Sequence, residues 1–281
     1  MHTAPPSTAR VAVAQIDARS HDLDYNAARV TATLRDARDA GIDLVVLPEC
    51  ALTGYLYDSL EETRANALSL TDERLEAIAD LHRNTQLHSV IGFLERDGDV
   101  VYNTAALFSP EGLVGTYRKQ HLPFLAADRF VTPGQRECTP VFSTAIGNVG
   151  IMICFDLRFP ECARELALQG SDIIAMPTNW PVASAILADL VVRVRALENL
   201  VFLAVSDRND EEAGVSFIGR SQIISPRGAV LVDARNESGL FSTEVSLSDA
   251  RVKDIIVEPG TFELPIFAGR RPELYVTITS Q

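Results

Sequence analysis

Three short segments of the chain, residues 44–49, 117–122 and 150–156, each place one reactive side chain where a strand-like run ends. The three reactive side chains are Glu49, Lys119 and Cys154. Because ligands bind outside the carboxyl ends of strands in open α/β sheets, we expect these side chains to meet at one sheet edge. A thiol that attacks, a carboxylate that transfers the proton and an ammonium that stabilises the oxyanion can carry out acyl chemistry together. The sequence therefore predicts an enzyme.

The composition provides ample material for a core and argues against a nucleic-acid partner. Of the 281 residues, 47% are hydrophobic and 22% are charged, which are ordinary values for a folded domain. The formal net charge is -13 and no run of Lys or Arg occurs, whereas nucleic-acid binding needs a basic stripe. We therefore expect no nucleic-acid partner, and the charge says nothing about the substrate.

The sequence shows no sign of export or of insertion into a membrane. No apolar run reaches the roughly 18 residues of a membrane span. Residues 1–9 lack the apolar core of a signal peptide and are predicted to be a flexible lead-in. A cytoplasmic protein without a membrane partner is therefore expected. The cysteines include no CxxC pair, and in such a chain Cys50, Cys138 and Cys162 are predicted to be buried structural thiols.

Strand-like and helix-like patterns alternate along the chain, which predicts an α/β fold with mixed sheets. No linker rich in Gly, Pro or Ser divides the sequence, so residues 1–281 are predicted to form a single domain. Residues 258–281 are mostly apolar and extended, and several Pro and Gly residues interrupt them. A tail of this kind either packs on its own domain or crosses to a partner subunit.

Caps and turn residues predict the individual elements. Asp24 is expected to cap a helix over residues 26–40 that stops at Gly41. Thr71 is expected to cap a second helix, which runs to about residue 86. Asp97-Gly98 indicates a hairpin. Further along the chain, the pattern predicts a helix over residues 185–198 and a strand over residues 215–224.

Several longer motifs follow one another in order through most of the chain. They are the blocks around Glu49 and Lys119, Cys-Phe-Asp-Leu-Arg-Phe-Pro-Glu at 154–161, Pro-Thr-Asn-Trp-Pro at 177–181, Arg-Ala-Leu-Glu-Asn at 195–199 and Phe-Ile-Gly-Arg-Ser-Gln at 217–222. This set resembles the nitrilase superfamily of carbon–nitrogen hydrolases, whose members use a Glu–Lys–Cys triad. The resemblance implies a four-layer αββα sandwich that associates as an αββα–αββα homodimer or a higher even oligomer. It also implies that the tail over residues 258–281 lies at the dimer interface.

The resemblance gives each reactive side chain a role. It implies that Cys154 is the nucleophile and that Glu49 is the base that takes the thiol proton and later activates water. Lys119 and the backbone N–H of Phe155 are implied to stabilise the oxyanion. A thiol between a strand end and a helix N-terminus, near a lysine, is expected to have a lowered pKa, and burial is expected to raise the pKa of Glu49. No cofactor is expected.

One position departs from the family pattern. Many members carry a second glutamate after the lysine, but here none occurs before Glu137, and the nearest carboxylate to that motif position is Asp128. Asp128 is one methylene shorter than glutamate, and it either supports Lys119 and the substrate or pairs with Arg129 or caps a turn. His121 has no second His or Cys at ligand spacing, so it is interpreted as structural and no metal site is predicted.

Three residues are candidates for the substrate pocket. Asn179 and Trp180 follow the strand after the nucleophile's helix, so they are expected beside the site. The resemblance implies that Trp180 lines the pocket, and the alternative is that it packs in the core. Tyr55 lies close after Glu49 in the sequence and is a weaker candidate.

The residues after Cys154 favour one branch of the superfamily. Nitrilases usually continue with Trp-Glu after the cysteine, whereas Phe155-Asp156 here looks more like the amidases, including ω-amidases and small-amide hydrolases. We therefore predict hydrolysis of a small amide through a thioester, with release of ammonia. The first alternative is an N-carbamoyl amino acid amidohydrolase. The second is a catalytically weak binding or scaffold protein that has kept the fold.

Overall fold

The computed structural model describes residues 8–135 and 140–279, and their strands form two six-stranded sheets that pack face to face. The first sheet has, in spatial order, β14 (Gly239–Ser246), β1 (Thr8–Gln15), β2 (Leu44–Val46), β3 (His88–Asp97), β4 (Val100–Ser109) and β5 (Gly112–Arg118). The second has β13 (Val230–Asp233), β12 (Gln222–Ile224), β9 (Phe202–Ser206), β8 (Ile173–Pro177), β7 (Gly147–Ile151) and β6 (Val141–Thr144). Two small hairpins are β10 (Glu211–Glu212) with β11 (Val215–Ser216), and β15 (Ile255–Glu258) with β16 (Phe262–Leu264).

Both sheets are mixed in the same way. Three parallel strands stand in the middle of each sheet, namely β1, β2 and β3 in the first and β7, β8 and β9 in the second. Antiparallel strands flank them on both sides. The central parallel strands therefore point the same way within a sheet, and the residues that follow them collect at one edge.

Alternation along the strands separates the two faces of the first sheet. Val11 and Val13 of β1 face the core between the sheets, whereas Ala12 and Ala14 face the outer helices. This is the period of two that a strand imposes, and it explains why a run that is apolar at every position is buried on both sides. A one-residue slip of β1 would exchange the two sets.

Helices cover the outer face of each sheet. The helices are α1 (Leu23–Asp39), α2 (Leu60–Ala65), α3 (Glu73–His82), α4 (Pro160–Leu168), α5 (Val192–Asn199), α6 (Ser248–Arg251) and α7 (Val276–Thr279). Helices α1 and α3 pack on the first sheet, and α4 and α5 pack on the second. The predicted αββα sandwich in a single domain is confirmed.

Several predicted boundaries shift for local reasons. Helix α1 is capped by Asp22, whose side chain accepts from the backbone N–H of Tyr25 at 3.0 Å, two residues before the predicted cap. Asp72 rather than Thr71 caps α3. The helix predicted over residues 185–198 begins with a π-helical turn over Leu187–Val191 that precedes α5.

The strand predicted over residues 215–224 is interrupted. It divides into β11 and β12, and Gly219 between them has a φ of +65°, in the left-handed region. A Cβ at this glycine would meet the carbonyl oxygen of Arg235 at 2.7 Å, so backbone from another segment packs directly against it. The antiparallel strands β6 and β14 were not predicted from the sequence.

The two ends of the described chain differ in their packing. Thr8 and Ala9 belong to β1 rather than to the lead-in, and residues 1–7 lie outside the described residues. The C-terminal segment contains the β15–β16 hairpin and α7, and most of its side chains are exposed. Among residues 8–135 and 140–279, no helix is long and apolar enough to cross a bilayer.

Candidate active site

Each of the three predicted reactive side chains lies just beyond a strand of one sheet or the other. Glu49 follows β2 and Lys119 follows β5, both in the first sheet, and Cys154 follows β7 in the second. Glu49 and Lys119 are 0% exposed and Cys154 is 8% exposed. The two sheets therefore bring a carboxylate, an ammonium and a thiol into one buried region between them.

This region contains a carboxylate–ammonium–carboxylate network. The Lys119 Nζ donates to Glu49 Oε1 at 2.7 Å and to Asp128 Oδ2 at 2.6 Å. The Tyr55 hydroxyl donates to the same Asp128 oxygen at 2.9 Å. Asp128 therefore contacts Lys119 and does not pair with Arg129, whose ion pair is with Asp58.

Asn103 on β4 links the two carboxylates and was missed by the sequence analysis. Its Nδ2 donates to Glu49 Oε1 at 2.7 Å and to Asp128 Oδ1 at 2.9 Å. Its backbone carbonyl accepts from the backbone N–H of Lys119 at 2.7 Å. One asparagine thus holds all three members of the network. Nothing in the sequence Val-Tyr-Asn-Thr distinguishes it from an ordinary strand residue.

The electrostatics of the network follow from two carboxylates around one ammonium without access to water. Burial raises the pKa of Glu49; the Lys119 ammonium acts against this and the Asp128 carboxylate adds to it. Burial alone would lower the pKa of Lys119, but the charges of Asp128 and Glu49 outweigh it and raise that pKa well above its usual range. Lys119 is therefore charged at neutral pH, and the expected rise in the pKa of Glu49 agrees with the structure.

Cys154 opens a short 3-10 helix, Cys154–Arg158, with a backbone φ of +45°. A residue with a side chain rarely adopts this conformation, and it marks a sharp turn after the strand. Burial and the nearby Glu49 charge raise the pKa of the thiol, while Lys119, the Thr178 hydroxyl and the Asn179 backbone N–H act in the opposite direction. The expected lowering of this pKa is therefore wrong, because desolvation dominates the effect of the lysine.

A glycine on β3 allows the loop that carries Glu49 to pack against the sheet. A Cβ at Gly92 would lie 2.7 Å from the Glu49 Cα, 2.7 Å from the Pro48 carbonyl oxygen and 2.6 Å from the Cys50 nitrogen. Each distance is well inside van der Waals contact, so only glycine fits between this strand and the loop. The position of Glu49 therefore depends on a residue 43 positions away in the sequence.

Several buried polar atoms of the predicted site residues have no hydrogen-bond partner within the described part of the chain. They are Glu49 Oε2, Asn179 Oδ1 and Trp180 Nε1. Buried polar atoms are rarely left unpaired, so unpaired ones at a strand edge are suited to water or a substrate. The Phe155 N–H lies in the first turn of the 3-10 helix, where backbone donors lack an intrahelical acceptor.

The predicted pocket residues occupy different positions around the site. Asn179 donates from Nδ2 to the backbone carbonyl of Glu49 at 2.9 Å, so it bridges the two sheets beside Cys154. Trp180 is 1% exposed and packs with the core between the sheets. Tyr55 is 2% exposed and stands behind Asp128.

Asp207 is a second residue that the sequence analysis missed. It follows β9, is 0% exposed, and accepts the backbone N–H groups of Trp180 and Arg208 through Oδ1 at 3.0 and 2.9 Å. Its Oδ2 has no partner among the described residues. Burial raises its pKa well above the usual range, the two backbone N–H groups act against this, and the Glu49 charge adds to it. Its position after a central strand was the available signal.

His121 lies in a cluster with Asp156 and Cys162, which are distant from it in the sequence. Its Nδ1 lies 2.8 Å from Asp156 Oδ1 and 3.6 Å from the Cys162 Sγ. No second His or Cys lies at ligand spacing in the sequence, but folding brings His121 and Cys162, 41 positions apart, into contact. Cys50 and Cys162 are buried free thiols as predicted, and Cys138 lies outside the described residues.

Comparisons with known proteins identify the family of the chain. The model of the carbon-nitrogen hydrolase family matches residues 10–253. A protein named nitrilase from Pyrococcus abyssi is 37% identical over 271 residues, which cover 95% of this chain and 98% of the relative. An omega-amidase from Homo sapiens is 28% identical over 279 residues, which cover 95% and 96% of the two chains.

Solved structures show the same fold at lower identity. An amidase of the nitrilase superfamily from Nesterenkonia superposes with a TM-score of 0.79 at 22% identity, covering 98% of each chain. Nit3 of Saccharomyces cerevisiae, another superfamily member, gives a TM-score of 0.78 at 23% identity, covering 92% of this chain and 98% of its own. These structures show the shared fold, and the family model and the 37% identical relative show that the chain belongs to the carbon–nitrogen hydrolases of the nitrilase superfamily.

Proposed function

We propose that the protein is an amidase that hydrolyses a small linear amide through a thioester on Cys154 and releases ammonia. One observation carries this proposal. Glu49 binds Lys119 through Oε1, while its Oε2 has no partner among the described residues and stands in the same buried region as the thiol. A carboxylate with one oxygen held and the other free can take a proton and return it.

In the first half of the proposed reaction, Glu49 Oε2 takes the thiol proton as the sulfur of Cys154 attacks the amide carbonyl carbon. The carbonyl oxygen becomes an oxyanion, which Lys119 and the Phe155 N–H stabilise. When the carbonyl reforms, the C–N bond breaks and the nitrogen takes the proton from Glu49, so ammonia leaves. Since the pKa of the thiol is raised, proton transfer accompanies the attack and does not precede it.

In the second half, water replaces ammonia. Glu49 takes a proton from this water as its oxygen attacks the thioester carbon, and the same donors hold the second oxyanion. Collapse breaks the C–S bond and the sulfur takes the proton back from Glu49. The acid is released and the enzyme returns to its starting state. These steps use no cofactor and no metal.

Asp128 is proposed to take the place of the family's second glutamate. Its contact with Lys119 at 2.6 Å fixes the ammonium, and the Tyr55 hydroxyl fixes the carboxylate in turn. Asp128 is thus a positioning residue rather than a group that touches the substrate. Asn179 and Trp180, with their unpartnered Oδ1 and Nε1, are proposed to contact the substrate's polar atoms.

The test is a substrate panel with paired readouts. Short aliphatic amides, ω-amides, N-carbamoyl amino acids and nitriles are incubated with the wild-type protein, and ammonia and carbon dioxide are measured. Butyramide belongs in the panel because a variant of the Nesterenkonia amidase was crystallised with it. Cys154→Ala is the inactive control, and Cys50→Ala is the matched control for a buried thiol.

The outcomes separate the alternatives. Ammonia alone from an amide, lost in Cys154→Ala and kept in Cys50→Ala, supports the proposal. Carbon dioxide with ammonia identifies a carbamoyl hydrolase, and ammonia from nitriles alone identifies a nitrilase. Full activity in Cys154→Ala refutes the mechanism. If no substrate turns over and iodoacetamide alkylates Cys154 no faster than Cys50 and Cys162, the protein is a binding protein of the same fold.

We also propose that the protein forms a homodimer through α5 and the C-terminal segment. Val194 and Leu197 of α5 are exposed, as are Leu274, Tyr275 and Ile278 near the C-terminus. Exposed large apolar side chains that occur together mark interaction sites in many proteins. Analytical ultracentrifugation is expected to give twice the chain mass of 30.6 kDa for the wild type and a monomer for Leu197→Arg. A monomeric wild type refutes the dimer.

A further inference from the structure

Three donor atoms of different chemistry meet beside the candidate active site. The Nδ1 of His121 lies 2.8 Å from Asp156 Oδ1 and 3.6 Å from the Cys162 Sγ, and the ligand atoms of the three residues all lie within 4.8 Å of one another. In a tetrahedral zinc site, bonds of roughly 2.0–2.3 Å keep ligand atoms about 3.3–3.7 Å apart. The cluster needs only small side-chain shifts to reach this geometry.

The surroundings already hold two of the three side chains in place. Asp156 Oδ2 accepts from the Tyr117 hydroxyl at 2.8 Å and from the Ile153 backbone N–H at 3.0 Å. Asp156 Oδ1 also accepts the His121 backbone N–H at 3.1 Å. The His121 ring stacks on Phe159 with centroids 3.8 Å apart. Metal-binding carboxylates and imidazoles are generally fixed by such outer contacts.

Charge and access both favour a cation. Among the charged groups that act most strongly on Cys162, the two carboxylates of Asp156 and Glu161 outnumber the one guanidinium of Arg195. Asp156 and Cys162 are buried, while the His121 side chain is 33% exposed. An ion can therefore enter along the imidazole edge and be held by the two buried ligands.

We propose that His121, Asp156 and Cys162 form a site for a divalent zinc-like cation, distinct from the Cys154 nucleophile. One nitrogen, one sulfur and one carboxylate oxygen suit Zn²⁺ rather than Mg²⁺ or Ca²⁺, which prefer oxygen alone. As the metal binds, the Cys162 thiol releases its proton to solvent and the sulfur–metal bond forms. The imidazole proton moves from Nδ1 to Nε2, so the ring stays neutral. Water completes the fourth position.

The site would join the two halves of the candidate active site. His121 lies two residues after Lys119, and Asp156 lies two residues after Cys154. The first segment follows the first sheet and the second follows the second sheet. A bound cation would thus tie the lysine segment to the nucleophile segment, which gives the site a regulatory character.

Cobalt is the probe, because tetrahedral Co²⁺ coordinated by a thiolate has a characteristic charge-transfer absorption. Metal-free full-length protein is titrated with Co²⁺ in four forms: wild type, Cys162→Ala, Cys154→Ala and Cys50→Ala. We expect one Co²⁺ per chain with the thiolate band in the wild type, in Cys154→Ala and in Cys50→Ala. We expect no band in Cys162→Ala, and displacement of Co²⁺ by one equivalent of Zn²⁺ where the band is present.

Several results would overturn the proposal. One is a wild type without the thiolate band, and another is a band that survives in Cys162→Ala. A band that disappears in Cys154→Ala would place the metal on the Cys154 thiol. Should Cys162→Ala fail to fold by circular dichroism, His121→Asn provides the second variant. It keeps the thiol and is expected to weaken Co²⁺ binding about tenfold or more. Unchanged affinity in His121→Asn contradicts the site. None of these readouts depends on the amidase activity.

Discussion

Replacing Asn103 by leucine is the most direct test of how the buried network works. Leucine has nearly the same shape as asparagine but cannot donate a hydrogen bond, so Glu49 Oε1 and Asp128 Oδ1 each lose a donor, at 2.7 and 2.9 Å. Both carboxylates are buried, and neither gains water in exchange. The perturbation therefore changes the electrostatics of the site and leaves its packing largely intact.

The magnitude follows from hydrogen bonds to charged groups, which contribute about 1.5–3 kcal/mol each. Since the Asn103 hydrogen bond favours the ionised form of Glu49, its loss raises the pKa of that carboxyl. Glu49 must be ionised to accept the thiol proton, so activity is lost as the pH falls. In Asn103→Leu this acid limb of the pH profile therefore lies at a higher pH than in the wild type. The free energy of unfolding drops by about 3–6 kcal/mol if both bonds are lost.

The assay is kcat/KM against pH for the best amide of the panel, together with urea unfolding at neutral pH. Asn26→Leu is the matched control, because Asn26 is equally buried but exchanges its two hydrogen bonds with the backbone of Arg19. Asn26→Leu is expected to lose stability without moving the acid limb. An Asn103→Leu acid limb that coincides with that of the wild type would refute the electrostatic role of Asn103.

Further predictions concern Gly92, Glu49 and Lys253. Gly92→Ala places a methyl group 2.7 Å from the Glu49 Cα, so the loop that carries Glu49 must shift. We expect a roughly 100-fold loss of kcat and a lower melting temperature. Wild-type kinetics would contradict the close packing of this loop on β3. In the wild type, activity is lost as the Glu49 base is protonated, so its raised pKa is expected to place the acid limb of kcat/KM above pH 4.5. An acid limb at or below pH 4.5 would contradict the raised pKa. Burial lowers the pKa of Lys253 to about 8, below the unfolded value near 10.4, so the unfolded chain binds more protons between these values. Stability is therefore expected to rise with pH across that interval, and Lys253→Met to remove the rise in thermal unfolding.

The sequence predicts the reactive side chains because each stands in a contiguous motif after a strand. Glu49, Lys119 and Cys154 could therefore be found, and the structure brings them into one buried region. Asp128 could be found as the nearest carboxylate to a family position, and its contact with Lys119 is observed. Roles in catalysis are not tested by these contacts and stay predictions.

Residues that act through long-range packing could not be found in the same way. Asn103 and Gly92 lie in ordinary strand sequences, and their importance comes from what the fold places against them. The pairing of His121 with Cys162 depends on where α4 starts relative to the Lys119 segment, which no spacing rule gives. The pKa of Cys154 was predicted in the wrong direction because the sequence shows a nearby lysine but not the degree of burial.

Because the site residues are divided between two sheets, activity depends on how those sheets are aligned. Glu49 and Lys119 are attached to the first sheet and Cys154 to the second. The Asn179–Glu49 hydrogen bond of 2.9 Å is one of the contacts between the two sheets. A slide of about 1 Å along the shared core would leave every strand hydrogen bond intact yet separate the thiol from its base, at a loss of roughly 100-fold in rate. On heating, turnover is therefore expected to fail before far-ultraviolet circular dichroism changes, as one layer shifts on the other.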